Sequence, residues 1–173
     1  QHFPGLMVFS VNLGTLGMNT PQIARLWQHG IVIVTHILLF LVARKFFKSS
    51  SKALIANLFF LIWHPYFEGW VLWIDSFLPI LTLTSLYFLL SKKNFWTGFF
   101  LGVALLFKQV IGPLIGLIGL YLLIKEKKIK PAFIFGFGAL IPTLFLIKYI
   151  NDLGIWKDFI FWTITFNLTT FAE

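Results

Sequence analysis

The sequence predicts an all-α, polytopic integral-membrane helical bundle, with about six transmembrane crossings and further helices lying on the outer surface. Three observations carry this. Apolar residues make up 58% of the 173 residues and charged ones only 12%, against roughly 45–50% and about 25% in a soluble domain. A water-soluble globule of this length cannot hide that much apolar surface. The aromatic load, 22 Phe and 7 Trp, suits lipid contact and membrane interfaces. Finally, basic residues come in runs that punctuate the apolar stretches: Arg44, Lys45, Lys48 and Lys52, then Lys92 and Lys93, then Lys125, Lys127, Lys128 and Lys130.

The net charge of +8 suits nucleic acid or cytoplasmic loops of a membrane protein, and the placement of the charge decides between them. The stretch Ala53–Ser91 is too long for one crossing, since about 20 residues span the hydrocarbon, and His64-Pro65-Tyr66-Phe67-Glu68-Gly69 breaks it with a polar turn. Phe95–Ile124 is read as a hairpin turning near Phe107-Lys108-Gln109, because that puts its flanking lysines on one side. All the clustered basic residues then face the cytoplasm, and no nucleic-acid partner is expected. With no Cys, disulfides and thiolate chemistry are excluded.

Element by element, residues 1–22 form an outer juxtamembrane segment. Pro4–Gly17 is expected as a surface helix, with Thr20 an N-cap and Pro21 the first position of the next helix. The transmembrane part, 23–149, crosses at Ala24–Val42, Ala53–His64, Val71–Leu90, Phe95–Phe107, Gln109–Ile124 and Pro131–Tyr149. The second and fourth are short, about 18–20 Å at 1.5 Å per residue. They extend into flanking polar residues or end in a cavity lined by protein. Gly98 and Gly102, with Gly112 and Gly116, predict close approach of two backbones in a tight helix hairpin. The outer interfacial segment 150–173 opens with a turn at Asn151-Asp152-Leu153-Gly154 and continues as an aromatic helix, Ile155–Thr165. The whole chain, 1–173, is read as a single membrane domain. It begins at Gln1 without Met or a basic n-region, so no signal peptide is read and a fragment or processed chain is expected.

Lys108 is the strongest anomaly. A Lys at the bilayer centre costs roughly 2.5–3.5 kcal/mol. Snorkelling is the simpler reading, but Lys108 falls on the non-cytoplasmic side, where charge sorting disfavours Lys. A compact cation there suits an anionic headgroup or phosphate. Asp75 either complements a helix dipole or points into an outer cavity. Glu68 reads first as a solvated loop acid. Arg25 either anchors the interface or binds phosphate, and His36 with Thr35 suits a helix–helix hydrogen bond. No His pair has metal-ligand spacing, and there is no phosphate loop, HExxH or nucleophile elbow. Asn167-Leu168-Thr169 matches a glycosylation sequon.

The order of His2-Phe3-Pro4, Ala24-Arg25-Leu26, a basic turn, Asp75 and Leu101-Gly102-Val103-Ala104-Leu105-Leu106-Phe107-Lys108 resembles the polyprenyl-phosphate-sugar-dependent glycosyltransferases of the GT-C class. Among these are the protein O-mannosyltransferases, the lipid A aminoarabinose transferases and the lipopolysaccharide-core glycosyltransferases. The resemblance runs from His2 to about Gly119. It implies a cell-envelope enzyme of the plasma or inner membrane. That enzyme performs an inverting hexosyl or pentosyl transfer on the non-cytoplasmic face, from a polyprenyl-phosphate donor to a lipid, glycan or protein acceptor. The donor and acceptor, with the bilayer itself, are the partners it implies.

By carry-over, Lys108 contacts the donor phosphate, His2 and Arg25 assist, and Asp75 orients the acceptor or a cation. Glu68 and Gln109 complete the substrate-binding set. The family's external-loop carboxylate falls upstream of Gln1, so the catalytic residue is expected outside this chain and the fragment is expected to be inactive. No cofactor is assigned; the family sometimes uses a divalent metal. Two other classes remain open: a secondary transporter or lipid flippase, and a non-catalytic membrane subunit whose Lys108 only snorkels. A transporter predicts paired broken helices and ionisable residues at the midplane, whereas here they gather on one face.

Overall fold

In the computed structural model the described residues are 20–66, 76–127 and 129–166, together with Gly17 and Thr169. Among them every regular element is helical.

Helix α1, Pro21–Phe47, starts as its sequence dictates. The Ile23 N–H donates to Thr20 Oγ1 at 3.3 Å and Pro21 occupies the first position, where a missing N–H costs nothing. Arg44 and Lys45 in its last turn complement the negative end of the helix dipole. Helix α2, Ser50–Trp63, follows at once, its Lys52 N–H capped by Ser49 Oγ at 3.4 Å, and runs into a short 3-10 turn, His64–Tyr66. Helix α3 is Leu78–Leu90, with Pro79 in its first turn. Helix α4 is Asn94–Phe107, α5 is Ile111–Glu126 and α6 is Ile129–Leu153. A last short helix, α7 (Trp156–Ile160), continues as a π-helical turn over Phe161–Thr165.

Each of the six expected crossings therefore has a helix, with most ends shifted by a few residues: α1 runs on to Phe47 where Val42 was the expected end. Helix α3 begins at Leu78; the expected start at Val71 lies among residues 67–75, outside the described ones. Helix α6 runs through the expected turn at Asn151–Leu153. It stops at Gly154, whose φ of +66° closes a Schellman motif: Gly154 N–H donates to Asn151 O at 3.0 Å and Ile155 N–H to Ile150 O at 3.3 Å. The expected surface helix Pro4–Gly17, apart from Gly17 itself, and Asn167 of the sequon lie outside the described residues.

Two helices, Pro21–Phe47 and Ile129–Leu153, are long and apolar enough to span a bilayer. Helices α2 to α5 are apolar but have 13 to 16 residues, about 20–24 Å. Large apolar side chains are exposed on the outside, among them Leu26, Phe59 and Phe145. This is what a bundle wrapped in lipid presents and what a water-soluble one avoids.

Helix α1 packs on α2 and α3, α3 on α4, and α4 on both α5 and α6. The core gathers Leu101, Ala104, Ile111, Leu122 and Phe135. Ser85 and Thr97 are fully buried between α3 and α4, and Ser85 Oγ donates to Thr97 O at 2.9 Å. The expected pairing of glycines is corrected here. Gly98 and Gly102 do not face Gly112 and Gly116. A Cβ on Gly98 would lie 1.9 Å from Phe135 O, one on Gly102 would lie 2.6 Å from Ala139 O, and one on Gly138 would lie 2.1 Å from Phe95 O. The close backbone approach is thus between α4 and α6, while Gly116 has open space. Close contact between helices two apart in sequence is not legible from a spacing that suits any neighbour.

Contacts 98–135 and 102–139 advance together, so α4 and α6 run parallel. Both start at the end of the bundle where Lys45 Nζ meets Ser91 Oγ at 2.6 Å. The three basic turns therefore share one end. Each ends its helix on a left-handed lysine, Lys48, Lys92 or Lys127, with φ of 53°, 57° and 48°.

Candidate functional site

At the opposite end of the bundle lies the turn joining α4 to α5. Lys108 leaves α4 in extended backbone (φ −147°, ψ 124°), and its N–H still closes the helix on Ala104 O at 3.1 Å. The chain reverses through Gln109 and Val110 into α5, confirming the expected hairpin. Lys108 and Gln109 are both half-buried. The Phe107 ring stacks on Phe77, with centroids 6.3 Å apart, so this turn packs against the Ser76–Phe77 entry to α3.

The turn offers an anion a side chain rather than a helix end. The first N–H groups of α5 are already used: Ile111 N–H donates to Lys108 O at 3.2 Å and Gly112 N–H to Gln109 O at 2.9 Å. Pro113, next in line, has none. The polar side chains of the turn are the ammonium of Lys108 and the amide of Gln109.

Axial lengths set the depth of the turn. Helix α4 lifts Lys108 about 21 Å from the basic end, short of the ~30 Å hydrocarbon core. Carrying the α4–α6 register forward from Gly102 by six residues, about 9 Å, brings the turn level with 145–148. Helix α6 continues past it for about 8–12 Å. The Lys148–Asp152 pair lies there, with Nζ to Oδ2 at 2.7 Å. Both side chains are largely exposed, so the pair itself adds little stability, ~0–1 kcal/mol. The reading above passed over this pair, although its i,i+4 Lys–Asp spacing was visible.

Arg25 lies exposed in the second turn of α1, at the same end of the bundle as Lys108. Its carbonyl is joined to His29 Nδ1 at 2.7 Å. Asp75, Glu68 and His2 lie outside the described residues. Thus the structure brings Lys108 and Gln109 together beside Ser76 and Phe77. It places Arg25 in a separate helix.

His36 and Asn57 bind each other across α1 and α2. The His36 ring and the Asn57 amide meet at Nδ1···Oδ1 2.8 Å, and Asn57 Nδ2 donates to His36 O at 3.2 Å. The expected helix–helix bond is therefore His36's. Thr35 instead donates to Ile31 O of its own helix at 2.8 Å.

Residues 7–150 match the family model of the dolichyl-phosphate-mannose-protein mannosyltransferases. The chain belongs to this family. The GT-C resemblance drawn from the sequence is thereby supported, and a membrane glycosyltransferase is the class the match gives. No curated protein and no solved structure matches the chain. The mannosyltransferase match takes in Arg25, Glu68, Asp75, Lys108 and Gln109. It stops short of His2 at one end and of Asp152 and α7 at the other. Among the described residues of this mannosyltransferase-family chain, no three His, Asp or Glu side chains gather to hold a metal.

Proposed function

We propose that this chain is the membrane core of a glycosyltransferase that takes a sugar, mannose in the first instance, from a polyprenyl-phosphate carrier at the non-cytoplasmic face. The acceptor is a lipid, glycan or protein. The observation that carries the reading is the Lys108 turn: a half-buried cation about 21 Å up the bundle, at the end opposite all three basic turns.

In this reading the three basic turns face the cytoplasm, and the chain crosses as six segments over residues 23–149. The flanking segments 1–22 and 150–173 lie outside. An acceptor hydroxyl attacks the anomeric carbon, the carbon–oxygen bond to the phosphate breaks, and the polyprenyl phosphate leaves with the electron pair. The hydroxyl proton passes to a carboxylate. Lys108 holds the phosphate whose charge grows as the bond breaks, the kind of stabilisation that acts most strongly in a water-poor site. Gln109 donates to a phosphate oxygen, Arg25 steers the headgroup, and Asp75 orients the acceptor. His2 and Glu68 complete the outer rim.

One assay separates this from a flippase. The full-length protein is reconstituted in vesicles with a short-chain polyprenyl-phosphate mannose, and both released polyprenyl phosphate and donor movement between leaflets are followed. Acceptor-dependent release supports the transferase. Movement of intact donor with no release would replace it by the transporter reading.

A further inference from the structure

A second lipid-facing feature lies at the other end of the molecule. Beside the turn that joins α1 to α2 lies an open groove lined by Phe47 of α1 and by Lys52, Ile55, Ala56 and Phe59 of α2. It is open to its surroundings, and its wall is apolar throughout, so Lys52 contributes its aliphatic stem. Helix α2 packs chiefly on α1. Its outer face is bare: Ile55 is 60% and Phe59 64% exposed.

The charge around the groove has one sign. No Asp or Glu occurs between Thr20 and Tyr66. The turn that opens the groove carries Lys48, and Lys52 follows one helical turn later. Lys45 is engaged elsewhere, on Ser91 Oγ at 2.6 Å and over the Tyr87 ring at 4.7 Å. Lys48 and Lys52 thus remain for the groove. An open apolar groove with Lys52 in its wall and Lys48 in the adjoining turn is complementary to a molecule with an apolar chain and an anionic head. Basic pockets between membrane helices bind anionic headgroups by this arrangement.

We propose that this groove holds an acyl chain of an anionic glycerophospholipid of the leaflet that the basic turns face, with its phosphate on Lys52 and Lys48. The lipid covers the bare face of α2 and braces a helix that otherwise leans on α1. This site lies at the end opposite Lys108 and does not depend on the transfer chemistry.

The test is native mass spectrometry of the purified full-length protein with equal amounts of dioleoyl phosphatidylglycerol and dioleoyl phosphatidylcholine. The unaltered protein is expected to retain phosphatidylglycerol preferentially. Lys52→Gln, at an exposed position, should weaken that retention about five-fold and leave phosphatidylcholine unchanged. Lys52→Arg should restore it. Ile55→Ala should weaken both lipids, and Lys130→Gln, in another basic turn, should weaken neither. The proposal is overturned if Lys52→Gln matches the unaltered protein. It is also overturned if Lys130→Gln loses as much as Lys52→Gln, or if the groove is filled by a second copy, seen as a dimer that Ile55→Ala dissociates without lipid loss.

Discussion

Lys45 Nζ donates to Ser91 Oγ at 2.6 Å while lying 4.7 Å from the centroid of the Tyr87 ring. One contact thereby ties the first basic turn to the second. The parallel seam of α4 and α6 adds the third turn, because both helices start at that end. Three separate basic runs become one charged surface, and the sidedness of the chain can be tested on it.

The expected outcome is that cysteines placed singly at Ser50 and Lys127 behave alike and one at Leu153 behaves oppositely. In intact cells, a membrane-impermeant thiol reagent should label Leu153→Cys, which is 52% exposed at the far end of α6, and spare the other two until the membrane is opened. Labelling at Ser50 with protection at Leu153 would invert the map. Different behaviour at Ser50 and Lys127 would break it.

The three left-handed lysines give a prediction about stability. A non-glycine residue in this conformation costs roughly 1–2 kcal/mol, and glycine is the usual occupant of a helix end of this kind. Lys127→Gly should therefore raise the stability of the detergent-solubilised protein by about 1 kcal/mol, read as a higher unfolding midpoint. The same change removes a positive charge from the turn. If Lys127→Gly lowered the midpoint, the lysine side chain would hold the turn by contacts that outweigh its backbone strain.

The α4–α6 seam separates glycines that matter from those that do not. At Gly98 an added methyl would fall 1.9 Å from Phe135 O, a backbone atom that cannot move without shifting α6. Gly98→Ala should destabilise by about 1–3 kcal/mol, the range of overpacked cores. At Gly116 nothing lies within 4 Å, and Ala there should stabilise by ~0.5–1 kcal/mol through helix propensity. Thermal unfolding in one detergent checks both signs. Equal effects at the two sites would contradict the seam.

His36 and Asn57 should be energetically coupled. Their reciprocal pair joins α1 to α2, and the His36 ring meets the edge of Phe60 at 5.2 Å. A double-mutant cycle with His36→Leu and Asn57→Leu should give a coupling of roughly 0.6–1.7 kcal/mol, the span measured for hydrogen bonds between membrane helices. A coupling of zero would mean that each partner finds another bond when the first is lost.

Much of this fold was legible because membrane segments announce themselves. The Thr20–Pro21 start, the basic turns and the Lys108 hairpin all follow from local rules of capping and charge sorting. What was not legible depends on distant packing. The spacing of Gly98 and Gly102 says that a backbone comes close, not whose, and α6 rather than α5 proved to be the partner. The end of α6 was misplaced because Asn151 and Asp152 favour turns. Buried Ile150 and the Schellman bonds of Gly154 and Ile155 carried the helix to Leu153, four residues past the expected end at Tyr149. At the site, an isolated Lys in an apolar run stood out at once. The Lys148–Asp152 pair did not, because its level relative to Lys108 depends on the α4–α6 register.

Lys108 carries the decisive prediction. Its backbone is fixed at both sides, by its own N–H on Ala104 O and by its carbonyl receiving the Ile111 N–H. These two bonds fix the backbone of the turn. Lys108→Met keeps the aliphatic bulk and removes only the charge, so folding and membrane insertion should survive. No free helix N–H stands in the first turn of α5 to replace the ammonium. The loss of one charge-assisted contact to a developing charge costs about 2.7–4 kcal/mol, or roughly 10²–10³ in turnover. Lys108→Arg keeps the charge but replaces a compact ammonium with a planar fork, and should recover only part of the rate. The measurement is transfer from a short-chain polyprenyl-phosphate sugar by the full-length protein at matched expression, with kcat and KM separated. A fall in kcat that Arg partly restores supports contact with the leaving phosphate. Near-normal turnover in Lys108→Met would leave a snorkelling lysine and remove the donor phosphate from this turn.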